Sequence, residues 1–115
     1  MGCLTSAVHR HFDCPDEVLT GWQIPAGWME HELTPVRARD EVLNTNLSRE
    51  GCEARWEEMR TQWREGDAYW LYRRPEDTTL DALGAQEGVA LIRGCEQLGF
   101  VTTRIATEEQ PAQRR

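Results

Sequence analysis

Apolar side chains change their period along this chain, and each change marks an element. From about Ser48 to Glu65, Cys52, Trp56, Met59 and Trp63 recur at i, i+4, i+7 and i+11. That spacing sets them on one stripe of a helix, with Glu53, Glu57, Glu58, Arg60, Gln62 and Arg64 on the opposite face. Ser48 suits the N-cap, Glu50 adds negative charge to the first turn, and Gly66 supplies the stop. After Gly66 the period becomes two. Over residues 68–73, Trp70 and Tyr72 point to one side, Tyr69 and Leu71 to the other.

Two further β-rich runs, 88–93 and 96–105, flank Gly94-Cys95, which fits a two-residue type II′ turn with Gly at its first central position. A regular hairpin on that turn sets Arg93 against Glu96, Leu91 against Leu98 and Val89 against Phe100 on one side. The other side carries Ala90, Ile92, Val101 and Ile105, too apolar for a solvated face. Both faces of this sheet therefore need cover. A fourth, weaker strand alternates Met29, His31 and Leu33 with Glu30, Glu32 and Thr34, and stops at Pro35; it is the natural candidate to cover or extend the sheet.

Between these elements the pattern dissolves. Residues 21–28 read as a Gly/Pro-punctuated loop or edge strand pinned by Trp22 and Trp28. Residues 38–46 read as a polar connector with one helical turn at Asp40–Leu43, and 77–84 as a short capped helical turn. The fold expected is α+β: one main amphipathic helix on a small antiparallel sheet of three to four strands with a C-terminal β-hairpin. Residues 1–20 are expected to be flexible, 21–106 to form a single domain, and 107–115 to be a disordered tail.

A length of 115 residues supports one domain, and 39% hydrophobic content with five tryptophans argues against disorder in the middle of the chain. No apolar run approaches the roughly 20 residues a membrane span needs, and no secretory signal follows Met1. The net charge of −7 disfavours nucleic acid, which selects a basic stripe, and leaves room for a basic protein partner. All thirteen basic residues are Arg and none is Lys, as a GC-rich bacterial or phage genome would give. With no export signal, the four cysteines (Cys3, Cys14, Cys52 and Cys95) are expected as free thiols in a reducing, cytoplasmic setting.

Candidate chemistry is thin. The start M-G-C-L-T-S places Gly2 and Ser6 as N-myristoylation requires and resembles, with Cys3, the dually acylated start of heterotrimeric G-protein alpha subunits. Cys3, His9, His11 and Cys14 are zinc-type ligands, but C-x5-H-x-H-x2-C matches no common zinc spacing, so no metal or other cofactor is expected. The two serines, Ser6 and Ser48, offer no nucleophile for a Ser–His–acid arrangement, and glycine-rich phosphate loops are absent. Glu53 and Glu57 read as a solvated face, His31 as an exposed edge residue, and Asp67 as the backbone-bonding residue of the helix-to-strand turn. No enzymatic activity is expected.

The order G-D-A-Y-W…P…L-D-A-L-G-A-Q-E-G-V-A-L-I-R-G, from Gly66 to Gly94, resembles small uncharacterised bacterial proteins with the pattern GDxxW…P…LxxLGxxGxALIRxG. It departs from them at Leu80, where Trp is usual, and at Gln86-Glu87. The resemblance supports the fold and carries no activity. The expected function is that of a small acidic protein-binding module, an inhibitor or immunity-type protein that occludes a partner. Its anchors are expected among Trp22, Trp28, Tyr69, Tyr72, Arg73 and Arg74. The alternatives are a lipid-anchored effector or adaptor using Gly2 and Cys3, a homodimer through Ile92, Val101 and Ile105, or a small enzyme.

Overall fold

The computed structural model describes residues 12–74 and 85–106. In chain order these form α1 (Asp16–Thr20), a 3-10 turn (Ala26–Trp28), β1 (Met29–Leu33), α2 (Pro35–Leu43), α3 (Arg49–Gln62), β2 (Ala68–Arg73), β3 (Ala85–Arg93) and β4 (Glu96–Ala106). The strands make one antiparallel sheet in the order β1-β2-β3-β4. The fold is α+β, with the helices packed on the sheet and the hairpin at its C-terminal end. Gly2, Cys3, His9, His11, the turn expected over 77–84 and the tail 107–115 lie outside the described residues.

The main helix begins where its cap predicts: Ser48 Oγ accepts from Gly51 N at 3.1 Å. It ends earlier than its apolar stripe. Cys52, Trp56 and Met59 are buried, but Trp63 is the C-cap residue, extended at φ −62°, ψ 134° and 37% exposed. The early stop has a local cause. Asp67 Oδ2 accepts from Arg64 N at 2.8 Å and Gly66 turns the chain at φ +98°, which closes the connection to β2.

α2 corrects the reading of 38–46 as a connector. Thr34 Oγ1 accepts from Arg37 N at 3.2 Å and Pro35 occupies the first turn, a start signal that the strand-ending role of proline masked. Ala38 and Val42, one turn apart, are then fully buried beside α3 and the sheet.

The hairpin turns at Gly94, φ +60°, and Arg93 faces Glu96 as expected. One pair further on, the expected register fails. Ile92 faces Gln97 but Leu91 faces Gly99, so Leu98 is an extra residue on β4; Gly88 faces Thr102 and Glu87 faces Arg104, so Thr103 is a second. The first bulge places Gly99 beneath α3, where a β-carbon would already sit 3.4 Å from Met59 Cγ. It passes Phe100 to the reverse face opposite Ala90, and returns Val101 to the helix side opposite Val89. Ile92 and Val101 are therefore buried in opposite cores, and Asn46 bonds both backbone groups of Ile105 through its side chain. The three therefore share no single exposed face.

Both sheet faces are covered from within the chain. Leu33, Tyr69, Leu71, Val89, Leu91 and Val101 meet α2 and α3. Trp70, Tyr72, Ala90, Ile92 and Phe100 meet the segment 12–28, whose Phe12, Cys14, Leu19, Ile24 and Ala26 are buried. This corrects the flexible start for residues 12–20, and it corrects the thiol reading as well. Cys14 is disulfide-bonded to Cys95, 81 residues away, and the free thiol among the described residues is the buried Cys52. The thiol expectation rested on the reducing compartment inferred from the missing export signal, and it fails at Cys14 and Cys95, which the folded cover brings together. Cys14, once bridged, is also lost to any zinc set.

The outer edges are blunted. β1 presents exposed Glu30, His31 and Glu32 along a bulged strand. On β4, Arg55 Nη2 donates to Phe100 O at 3.0 Å, Cys52 Sγ to Thr102 O at 3.5 Å, and Asn46 N to Thr103 O at 3.2 Å. Among the described residues no helix is long and apolar enough to cross a membrane.

Candidate functional site

The two tyrosines proposed as interface anchors are interior residues. Tyr69 is 2% exposed and stacked 5.1 Å from Trp56; Tyr72 is fully buried, its hydroxyl 2.7 Å from Thr102 Oγ1. Neither reaches a partner. Burial pushes the Tyr72 phenol up to about 12, against the opposing pull of its Thr102 hydrogen bond, so it stays protonated near neutrality.

The remaining expected anchors divide between the ends of the sheet. Arg73 lies at the end remote from the hairpin turn, its guanidinium 3.4 Å from Glu30 and 3.5 Å from Glu87. Arg74 is half-buried beside it, its backbone N–H donating to Gln86 O at 2.8 Å. Trp28 is half-buried, its ring 6.4 Å from Tyr72. Trp22 belongs to the turn end, where its Nε1 donates to Cys95 O at 3.2 Å and its ring meets Phe12 edge-on at 5.1 Å. Of these four, Trp22 lines a concave surface.

That surface is a groove of about 470 Å³ between α1 and α3, floored by the first half of β4. Val18, Trp22, Leu98 and Phe100 supply its apolar walls, with Arg55 and Glu96 as its charged lining. Local sequence builds each part. The bulge sets Leu98 and Gly99 in succession on the helix side, where the Leu98 side chain is half-covered, and turns Phe100 to the reverse face of the same edge strand. The Arg55 guanidinium carbon stands 5.6 Å from the Phe100 ring centroid, and Glu58 lies 3.7 Å from the same guanidinium. The Gln97 side chain locks the opposite wall: Oε1 accepts from Gln23 N and Ile24 N at 3.1 Å, and Nε2 donates to Ile24 O at 2.9 Å. Beyond Arg55 a second recess, about 250 Å³, continues past Cys52 to the exposed Leu47.

What this lining offers chemically is apolar contact surface and hydrogen-bonding groups. Glu53 and Glu57 each face their own arginine, Arg49 at 3.2 Å and Arg60 at 2.8 Å, on an exposed helix face. Among the described residues no three His, Cys, Asp or Glu side chains gather as a metal site would need. Asp67 does the structural work expected of it and more. Both its oxygens take Arg93, Nε and Nη2 each at 2.9 Å, and Arg93 Nη2 also donates to Gln62 O, the last carbonyl of α3, at 3.0 Å. Gly66-Asp67 and Arg93-Gly94, at the two ends of the stretch 66–94, thus meet in space.

Sequence reasoning missed Val18, Arg55, Leu98 and Phe100 as groove residues. Val18 stood in a stretch read as flexible, Arg55 was assigned to neither face of the helix, and the last two were assigned to a register that the bulge changes. Comparison with protein-family models, with curated proteins and with solved structures gives no match to this chain.

Proposed function

We propose that this protein is a small acidic protein-binding module that takes an apolar segment of its partner into the groove between α1 and α3. Inhibition by occlusion, in the manner of an immunity protein, is the mode of action that follows from its size. The observation that carries the reading is the state of the groove's side chains. Val18 at the lip is 40% exposed, Trp22, Leu98 and Phe100 are half-covered, and Leu47 continues the strip at 37% exposed. Half-covered aromatic and aliphatic groups beside an arginine are the usual composition of an interface centre. The net charge of −7 then favours a partner whose rim is basic, through faster encounter more than tighter contact.

An unbiased peptide-display selection on the immobilised oxidised protein tests this. Selected peptides should carry bulky apolar residues flanked by Arg or Lys, and should lose binding to Val18→Asp and Leu47→Asp variants. Val36→Asp, on the exposed side of α2 and outside the groove, should leave binding unchanged. No selected peptide, or peptides indifferent to Val18 and Leu47, would remove the reading.

A further inference from the structure

The two sulfurs of the Cys14–Cys95 bridge have different surroundings. Cys14 is 7% exposed among the buried side chains of the cover, whereas Cys95 is half-buried and lines the groove. Thiol–disulfide exchange needs an approach to one sulfur, and the geometry leaves that room on the Cys95 side. What the bridge holds is also unequal. From Gln23 onward the cover is secured by the three Gln97 hydrogen bonds and then by the pairing of β1 with β2. Ahead of Gln23 the bridge is supplemented by the Trp22–Cys95 hydrogen bond, the burial of Leu19 and the packing of Phe12 on Trp22 and Trp70, both at 5.1 Å.

We propose that the bridge is a thiol-exchange site, attacked at Cys95 by a low-molecular-weight thiol entering the groove, and that its opening releases residues 12–22 while the sheet stays folded. The thiolate forms a bond to Cys95 Sγ; the Cys14–Cys95 bond breaks and its electron pair leaves on Cys14 Sγ, which takes up a proton. A second thiol then attacks the outer sulfur of the mixed disulfide, freeing Cys95 as a thiol and forming the small-molecule disulfide. Two electrons and two protons pass from the two thiols to the protein. Because Val18 and Trp22 belong to the released stretch, the groove loses a wall. That last consequence, loss of partner binding, rests on the protein-binding reading; the exchange itself does not.

The test treats the full-length oxidised protein with 2-mercaptoethanol, quenches with iodoacetamide, and maps adducts alongside amide hydrogen exchange. The adduct should sit on Cys95 with Cys14 alkylated, and exchange should rise about tenfold or more over 12–22 with α3 and β2–β4 unchanged. An adduct on Cys14, unchanged protection over 12–22, or protection lost throughout the sheet would each overturn the proposal. A Cys14→Ser, Cys95→Ser variant should show the same local pattern without thiol, and a variant unfolded throughout would count against it. If the oxidised protein selects no peptide, the binding reading falls while the adduct and exchange results stand. If peptides bind equally before and after exchange, the release of the groove wall is what fails.

Discussion

Asp67 shows how much one carboxylate can organise. The Arg93 hydrogen bonds hold its carboxyl below the ordinary carboxylate range, with burial opposing and the Arg64 N–H helping. A lowered folded-state pKa means that its stabilising contribution is present above the unfolded value of about 4 and is lost as pH falls through the folded value. Asp67→Asn keeps an acceptor for Arg64 N and discards the charge. Urea midpoints should therefore separate wild type from variant widely at about pH 6, with the gap narrowing as pH falls below about 4; a gap independent of pH would refute this assignment. Gly88 makes a second residue-scale test. A β-carbon there would fall on the Val101 carbonyl oxygen and the Tyr72 ring. Gly88→Ala should cost about 1–3 kcal/mol through overpacking. Tyr72→Phe, which only loses the Thr102 partner, should cost about 1 kcal/mol. Chemical denaturation should rank them in that order.

At the scale of elements, the end of α3 decides what its tryptophans contribute. Trp56, buried and stacked on Tyr69, should cost about 3–5 kcal/mol as Trp56→Ala, while Trp63→Ala, beyond the helix and 37% exposed, should cost about 1 kcal/mol or less. Equal losses would mean that the stripe continues into the core after all. The sequence announces elements governed by local chemistry: Ser48 caps α3, Gly94 sets the turn, and period-two alternation marks β2. It conceals what depends on a neighbour. Nothing in Gln97-Leu98-Gly99 signals a bulge until Met59 lies across Gly99, and the shifted register is what carries Phe100 into the candidate groove. Thr34-Pro35 was legible as a helix start, yet the same proline reads equally well as the end of β1.

Taken whole, the molecule is a sheet closed on both sides by its own chain. The need for that second layer is plain in the apolar reverse faces of β2 and β3. Its source in residues 12–28 is not, because Phe12, Cys14, Leu19 and Ile24 follow no helical or strand period. A bridge closing a span of 81 residues restrains the unfolded chain, on loop-closure grounds, by about 4–5 kcal/mol. Oxidised protein should accordingly outlast the double serine variant in denaturant by a margin of that order. The most direct test of the account is a tryptic map of native, unreduced protein alkylated before digestion. The account predicts one cross-linked species joining residues 11–37 to 94–104, with Cys52 alkylated only after unfolding. Cys14 and Cys95 both alkylated in the unreduced native protein would contradict it.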